Sequence, residues 1–563
     1  QDSDETQSIT VDAEKGNANG RANGHANGHA NGYANGHGNG YGQEPALGQR
    51  KSLRVVLGVS VLVNVVLLIV AISRSSTTAP AGNPGVVTAP PPPAPSVGAP
   101  APGYLGRPPD PPPPAVVTVN VGDELQRLIQ QHDHGDTVAT QRPCSGNGMK
   151  YELEEAGYTD LHCECHPGFK GTNCEMEDLD TPVAALAGNP LMFQGYWWDN
   201  QGALTETTAY YRIGYEASNP PISGRIDFGG QQEILEAAIR ATHRFVGNVE
   251  NIDDYQIVLA PGSGALIPAI MYAVSQQSGF PGVPIEVTSE VPYYNGYPGA
   301  VRGEDNPKFT WVEPDMAGRS GRPVVEFITS PNNPDGTLRT QYVPGSVAVY
   351  DRAYWWPHFT PIQPANDDIM LFTLSKLTGH AGSRVGWALV KDPEMAARIK
   401  RKAGSLSHDA QLRAATLLQY TVAQRGGPIL YGMDQMSYRW DRFIDIFCID
   451  ETCATPRNPR FVLHNPQTTT TAMDAFTRTQ RRPSDPYAWI ECTRASDIQR
   501  TCVEVLRAAG VATVPGDGYG GAQGTYVRLE LLMAPSTFDA IANRLEVMVK
   551  GGQYRPVLPG FWQ

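Results

Sequence analysis

The sequence predicts an α/β protein whose main body, from about residue 180 onward, is a mainly parallel β-sheet covered by helices. Three observations predict it. Short apolar runs that read as buried strands alternate with longer helical runs, the pattern of strand–helix–strand units. Polar fragments rich in Gly, Pro and Asn follow those runs directly, where open sheets of this class bind ligands. Hydrophobic residues make up 40% of the 563, near the globular norm, so a sizeable core is possible. The length suits about three or four domains.

The N-terminal part has a different character. The 58 Gly and 48 Pro concentrate there, so the whole chain is not one compact body. With 44 Lys and Arg against 57 Asp and Glu, the net charge is −13, which argues against nucleic acid as a partner. The chain starts at Gln1 rather than Met, and a trimmed N-terminus is the expectation. Residues 16–42 repeat Ala-Asn-Gly-(His or Tyr), which sets His25, His29, Tyr33, His37 and Tyr41 four apart. On a helix that spacing would stack imidazoles and bind a metal. The intervening Gly and Asn disfavour helix, so 1–54 reads as a disordered, low-complexity tail.

Residues 55–72 form a run of 18 with no charge, near the lower limit for a transmembrane helix. Arg50, Lys51 and Arg54 precede it and Arg74 follows, so the tail is expected in the cytosol and the rest in a lumen or outside the cell. A leader of about 50 residues is too long for a cleaved signal peptide. Disordered flanks disfavour a buried core helix. Residues 73–116, with Pro90–Pro93 and Pro111–Pro114, read as a semi-rigid spacer. Residues 117–142 suggest a short helix bearing Leu125, Leu128 and Ile129.

Cys144, Cys163, Cys165 and Cys174 follow in CSGNG…CECHPGFKGTNC. So small a unit has too little core and needs cross-links. A zinc site on His162, Cys163, Cys165 and His166 is the rival, but ligands one residue apart fit poorly around one tetrahedral ion. The C-x-C pair, the Gly-Phe turn and the last Cys resemble the second half of an EGF-like module, over about 140–176. That resemblance implies Cys144 paired with Cys163 and Cys165 with Cys174. Cys448 and Cys453 suit a small loop, whereas Cys492 and Cys502 pair or stay free.

In the main body, strands are predicted at Tyr255–Ala260, Pro323–Thr329, Ser346–Tyr350, Ile369–Leu374 and Arg384–Val390, with helices at 231–246 and 393–403. After the second strand stands Ser330-Pro-Asn-Asn-Pro-Asp-Gly336. Asp351-Arg-Ala-Tyr354 follows the third and Ser375-Lys376 the fourth. Each fragment alone could be a turn or a strand-end cap. The ordered set resembles fold-type I pyridoxal-phosphate (PLP) transferases. SPNNPDG, YDRAYWWPHFTP and SKLTGHAGSRVGWAL are similar to the plant tryptophan aminotransferase and alliinase family, over roughly 140–563. The resemblance implies a large domain of about 222–430, a smaller α+β domain of 180–221 plus 431–563, and a homodimer. It also implies the EGF-like segment and, as in some members, the membrane anchor.

What the family implies can be set residue by residue. Lys376 would join the cofactor aldehyde and then serve as general base and acid. Asp351 would keep the pyridine nitrogen protonated, with Tyr354 and Asn333 donating to the ring hydroxyl. Arg384 matches the phosphate arginine, and Thr373 and Ser375 would add hydroxyls. Gly262 and Ser263 match the phosphate loop, although Ala260, Pro261 and Gly264 depart from the family wording. Tyr294, or its neighbour Tyr293, matches the ring-stacking aromatic. Tyr215 matches a tyrosine that reaches the neighbouring subunit's phosphate. Arg528 matches the arginine that grips the substrate carboxylate.

These residues serve transamination and C–S lysis alike. The anchored layout resembles the aminotransferase branch, so the expectation is transfer of the amino group of an aromatic L-amino acid, tryptophan above all, to a 2-oxo acid. With tryptophan the product is indole-3-pyruvate, in auxin synthesis. The alternatives are an alliinase-like lyase acting on S-alkyl-L-cysteine sulfoxides and an inert adhesion or receptor protein. Residues 186–220, which would shape the side-chain pocket, keep Gly188–Pro190 and Tyr196-Trp197 but otherwise depart from both branches. An endoplasmic-reticulum lumen and the cell surface both suit the topology.

Overall fold

A computed structural model describes residues 143–152, 161–186, 190–200, 229–277, 282–303, 308–464, 471–493 and 500–553. The N-terminal tail, the 55–72 run, the Pro-rich spacer, the helix expected within 117–142, and Tyr215 lie outside them. Among the described residues no helix is long and apolar enough to cross a membrane.

The cysteine module is a two-stranded hairpin, β1 (Gly148–Glu152) against β2 (Leu161–Cys165). Disulfides join Cys144 to Cys163 and Cys165 to Cys174. All four thiols are used, so this stretch keeps no thiolate for a metal. Among the described residues its core is little more than Cys144, Phe169 and Cys174, which is why the cross-links carry the module. The module sits on the C-terminal helix Pro535–Lys550. Arg544 donates to the carbonyls of Asp178 at 2.7 Å and Thr181 at 3.0 Å, and Thr537 donates to Pro167 at 3.1 Å.

The large sheet has seven strands: β3 (Gln256–Ala260), β4 (Ile285–Thr288), β5 (Phe309–Trp311), β6 (Val324–Thr329), β7 (Val347–Asp351), β8 (Ile369–Thr373) and β9 (Gly386–Val390). Their order is β3-β9-β8-β7-β6-β4-β5. Neighbours from β8 to β5 pair in parallel, while β9 is antiparallel to both β8 and β3. Both faces are covered. On β8, Ile369 and Leu371 join one core with Ile270 and Ile399, and Met370 and Phe372 join the other with Trp387 and Leu417. That double burial explains the unbroken apolar runs. The expected strands recur with shifts of one or two residues. The last begins at Gly386 rather than Arg384, because Arg384 turns into the left-handed region at φ 51°. β4 and β5 were not expected, being only four and three residues long, too short for a period to register.

A second sheet is antiparallel throughout: β10 (Phe461–Leu463), β11 (Tyr487–Cys492), β12 (Val514–Pro515) and β13 (Tyr526–Glu530), in the order β10-β11-β13-β12. A disulfide between Cys492 and Cys502 ties β11 to the helix Cys502–Ala508, which a Thr501/Glu504 capping box starts. Cys448 and Cys453 close a short loop.

Candidate active site

Strand register assembles the site at one edge of the large sheet. Thr373 at the end of β8, Gly386 at the start of β9 and Ala260 at the end of β3 lie side by side. Because β9 runs backwards, it begins where its neighbours end. Arg384 therefore meets the loop Pro261–Ser263, and its guanidinium lies so close to Gly262 that any side chain there would collide with it. A Cβ on Gly386 would overlap the Gly262–Ser263 backbone. These two glycines let loop and arginine close together. Ser263 opens the helical segment that continues into Leu266–Ser275, so its first N–H groups face the same place. Thr373 accepts from the Ser375 N–H at 3.2 Å and donates to the Val385 carbonyl at 3.3 Å. Its hydroxyl is thus committed to capping the turn Leu374–Leu377, which leaves that of Ser375 as the hydroxyl better placed for an anion.

Lys376 lies on that turn with its Nζ 5.8 Å from the centroid of the Tyr354 ring. His358 Nε2 sits 2.8 Å from the Lys376 carbonyl and braces the turn from behind. Burial pushes this imidazole down to about 3, so it is neutral. Asp351 ends β7, paired in register with Thr329 and Leu371. It accepts from the Tyr297 hydroxyl at 3.0 Å and from the Ala353 N–H at 3.1 Å. Burial raises it to about 6 against the pull of those two donors.

A second line of contacts reaches the small sheet. Asn333 Nδ2 donates to the Tyr354 hydroxyl at 3.4 Å, and that hydroxyl is 3.0 Å from the hydroxyl of Tyr487. Arg528 Nη1 donates to Asn333 Oδ1 at 3.2 Å, and Nη2 to the Leu186 carbonyl at 3.0 Å. Its guanidinium lies over the Tyr487 ring at 4.2 Å and near Tyr519 at 5.2 Å. The Tyr293/Tyr294 pair divides. Tyr294 feels the charges of Asp351, Arg528 and Arg384 and so belongs to the site, whereas Tyr293 packs on Trp311 at 4.9 Å. Tyr297, Tyr487, Tyr519 and His358 were not singled out from sequence. His358 and Tyr297 had a signal, since they lie within YDRAYWWPHFTP and VPYYNGY.

The family described as Allinase, the alliinase C-terminal family, matches residues 183–549. This chain belongs to the alliinase family. Tryptophan aminotransferase-related protein 3 of Arabidopsis thaliana is 33% identical over 73% of this chain and 88% of its own length. Alliin lyase of Allium cepa var. aggregatum is 29% identical over 74% of this chain and 92% of its own. Among solved structures, an aminotransferase from Staphylococcus aureus is 19% identical over 68% of this chain and 96% of its own, with a TM-score of 0.46. The alliinase-family chain has the fold-type I architecture, read here from its own sheet order, and its cofactor is PLP.

The residues present fit that cofactor. Asp351 is a buried carboxyl whose two donors are both neutral. A protonated ring nitrogen is the kind of partner that would return it to the ionised form. Arg384, the Gly262–Ser263 loop and the Ser375 hydroxyl supply a cation and donors on the opposite side, as a phosphate needs.

Proposed function

We propose that this chain is an aminotransferase that takes the amino group of an aromatic L-amino acid, tryptophan being favoured, and delivers it to a 2-oxo acid. One observation carries the reading. Two side chains, Tyr354 and Asn333, link the Lys376 amine to the Arg528 fork through contacts of 5.8, 3.4 and 3.2 Å. An α-amino acid needs a base at Cα and a bidentate donor at its carboxylate within that span. When bound, PLP supplies an aldehyde for the amino group and an electron sink for the charge released at Cα. Asp351 would hold the ring nitrogen, Tyr354 and Asn333 the ring hydroxyl, and Arg384, Ser263 and Ser375 the phosphate. Tyr294 would lie against the ring. Arg528 would orient the substrate by its carboxylate. Lys376 Nζ would remove the proton from Cα and hold it for return. Tyr487 and Tyr519, which lie against the Arg528 guanidinium, and Trp489, which packs on Tyr519, give flat apolar walls that suit an aromatic side chain.

β-Elimination uses the same proton removal and differs in what leaves Cβ. The relative named alliin lyase keeps that outcome in the test. The assay offers tryptophan with a 2-oxo acid and, separately, S-alkyl-cysteine sulfoxides. Keto-acid formation that depends on the acceptor supports transamination. Pyruvate and ammonia released without an acceptor overturn it in favour of a lyase, and a protein that stays colourless after PLP addition favours an inert body. In the same reading 55–72 anchors the protein, the catalytic part faces a lumen or the cell exterior, the cysteine module is EGF-like, and two copies pair. Protease protection in sealed microsomes tests the topology.

A further inference from the structure

Tyr354 is buried, and its hydroxyl has two hydrogen-bond partners among the described residues, Asn333 and Tyr487. A phenol has one proton to give and lone pairs for two donors. At Asn333 the direction is fixed. Arg528 Nη1, which can only donate, meets Oδ1 at 3.2 Å. The amide nitrogen therefore faces Tyr354 and donates to its oxygen at 3.4 Å. At Tyr487 the two hydroxyls stand 3.0 Å apart, and the distance alone lets either one donate.

The surroundings favour Tyr487 as the donor. The Arg528 guanidinium lies over the Tyr487 ring at 4.2 Å, whereas the Lys376 amine lies 5.8 Å from the Tyr354 ring. A positive charge beside a phenol favours release of its proton and so strengthens it as a donor. Burial holds Tyr354 well above the usual phenol range, so it keeps its own proton. The titratable groups acting on Tyr354 are Tyr487 and Arg528 of the small sheet, Tyr294 from the segment after β4, and Lys376 from the turn after β8. Tyr487 is held in place: it is 2% exposed, opens β11 opposite Glu530, and meets the Tyr354 ring edge-on at 5.7 Å. Were Tyr354 to give its proton to Tyr487, it would have none left for a ligand oxygen.

We propose that Tyr487 donates its hydrogen bond to the Tyr354 oxygen, so that the single Tyr354 proton is reserved for the ring oxygen of PLP. Asn333 and Tyr487 then fill both acceptor positions of Tyr354, and Arg528 stands behind both donors. Donors in series polarise one another, so each strengthens the hydrogen bond that Tyr354 gives. Tyr487 is a positioning residue that acts through Tyr354. The inference rests on the reading of Tyr354 as a donor to the ring hydroxyl.

The test loads the full chain with PLP, adds no substrate, and follows the visible absorption of the lysine-linked form against pH. A ring oxygen that loses a donor keeps more negative charge and holds the nearby proton at the Lys376 junction to higher pH. Tyr354→Phe should therefore raise the midpoint by about one pH unit, a tenfold change. Tyr487→Phe, which keeps the ring under Arg528, should raise it by about threefold. The double variant should match Tyr354→Phe alone, because Tyr487 has no route that bypasses Tyr354. A purely structural Tyr487 would change stability and leave the midpoint where it was. An unmoved midpoint in folded Tyr487→Phe, or full additivity in the double variant, overturns the proposal. If Tyr487→Phe does not fold, Tyr487→3-fluorotyrosine decides. Its more acidic phenol is a stronger donor and should lower the midpoint, and a rise or no change overturns the proposal. An unmoved midpoint in Tyr354→Phe overturns the reading of Tyr354 and this proposal with it, whereas movement there and none in Tyr487→Phe overturns the proposal alone. No arm uses an amino acid, so the substrate panel and this result stand or fall separately.

Discussion

Asp351 on the large sheet and Glu530 on the small one are both buried carboxyls, yet they are held differently. Asp351 accepts hydrogen bonds from Tyr297 and Ala353 and rises only to about 6. Glu530 has three cations acting on it and still rises to about 8, because burial strips the carboxylate of water and, among the described residues, its Oε1 finds no hydrogen-bond partner. The difference teaches how burial acts on two acids: two donors offset it at Asp351, whereas among the described residues one Glu530 oxygen has none. It also separates the two sides by task. Asp351 is prepared to stay ionised once a ring cation arrives, and Glu530 is prepared to hold a proton.

Lys376→Ala breaks the comparison most severely, since it removes the proposed reactive amine and a cation acting on Glu530. The variant should bind PLP without the visible absorption of the lysine-linked form and lose about 10²–10⁴-fold or more in turnover. A variant that keeps that absorption would sink the assignment. Asp351→Asn should cost about 10²-fold or more in turnover through loss of the electron sink, while leaving the cofactor-free fold intact. The sign follows from the raised value. Asp351 contributes stability that is fully present below the unfolded value near 3.8 and is lost as pH rises through about 6. Above pH 6 the cofactor-free variant should thus be at least as stable as wild type, by up to roughly 2–3 kcal/mol before the loss of its two hydrogen bonds. Melting temperatures across pH 3–8 check this, and a variant that is less stable at every pH contradicts it.

Arg528→Lys should raise KM for the amino acid about 10–100-fold with little change in kcat, because a point charge replaces a planar fork. Steady-state kinetics separates the two constants, and a fall in kcat alone would place Arg528 elsewhere in the reaction. Tyr297→Phe sharpens the comparison most gently. It removes one of the two donors to Asp351 and pushes that group further up, towards the situation of Glu530. The expected cost is about 1 kcal/mol of stability and a few-fold in turnover, with the acid limb of the pH–rate profile moved to higher pH.

Much of the site was legible in the sequence. Asn333, Asp351, Lys376 and Arg384 each stand within a few residues of an apolar run, in a fragment whose wording is distinctive. The partners that tune them were not. Tyr297 lies 54 residues from Asp351, and Tyr487 lies 133 from Tyr354. A tyrosine in an apolar stretch looks the same whether it is filler or a donor. Thr373 shows the converse, since a hydroxyl expected to meet phosphate is spent on a local cap.

By itself the sequence determined the chemical alphabet of this protein: which runs are apolar enough to be buried, which four cysteines must staple a unit too small for a core, and which amine, acids and guanidinium groups are available. These follow from neighbouring residues, and local propensity acts over that range. The tertiary structure alone decided that β9 runs backwards and so delivers Arg384 to the loop after β3. It alone decided the protonation of the two acids as well. The free energy of a charge depends on how much water is removed and on which donors arrive from distant strands, and no stretch of consecutive residues holds that information.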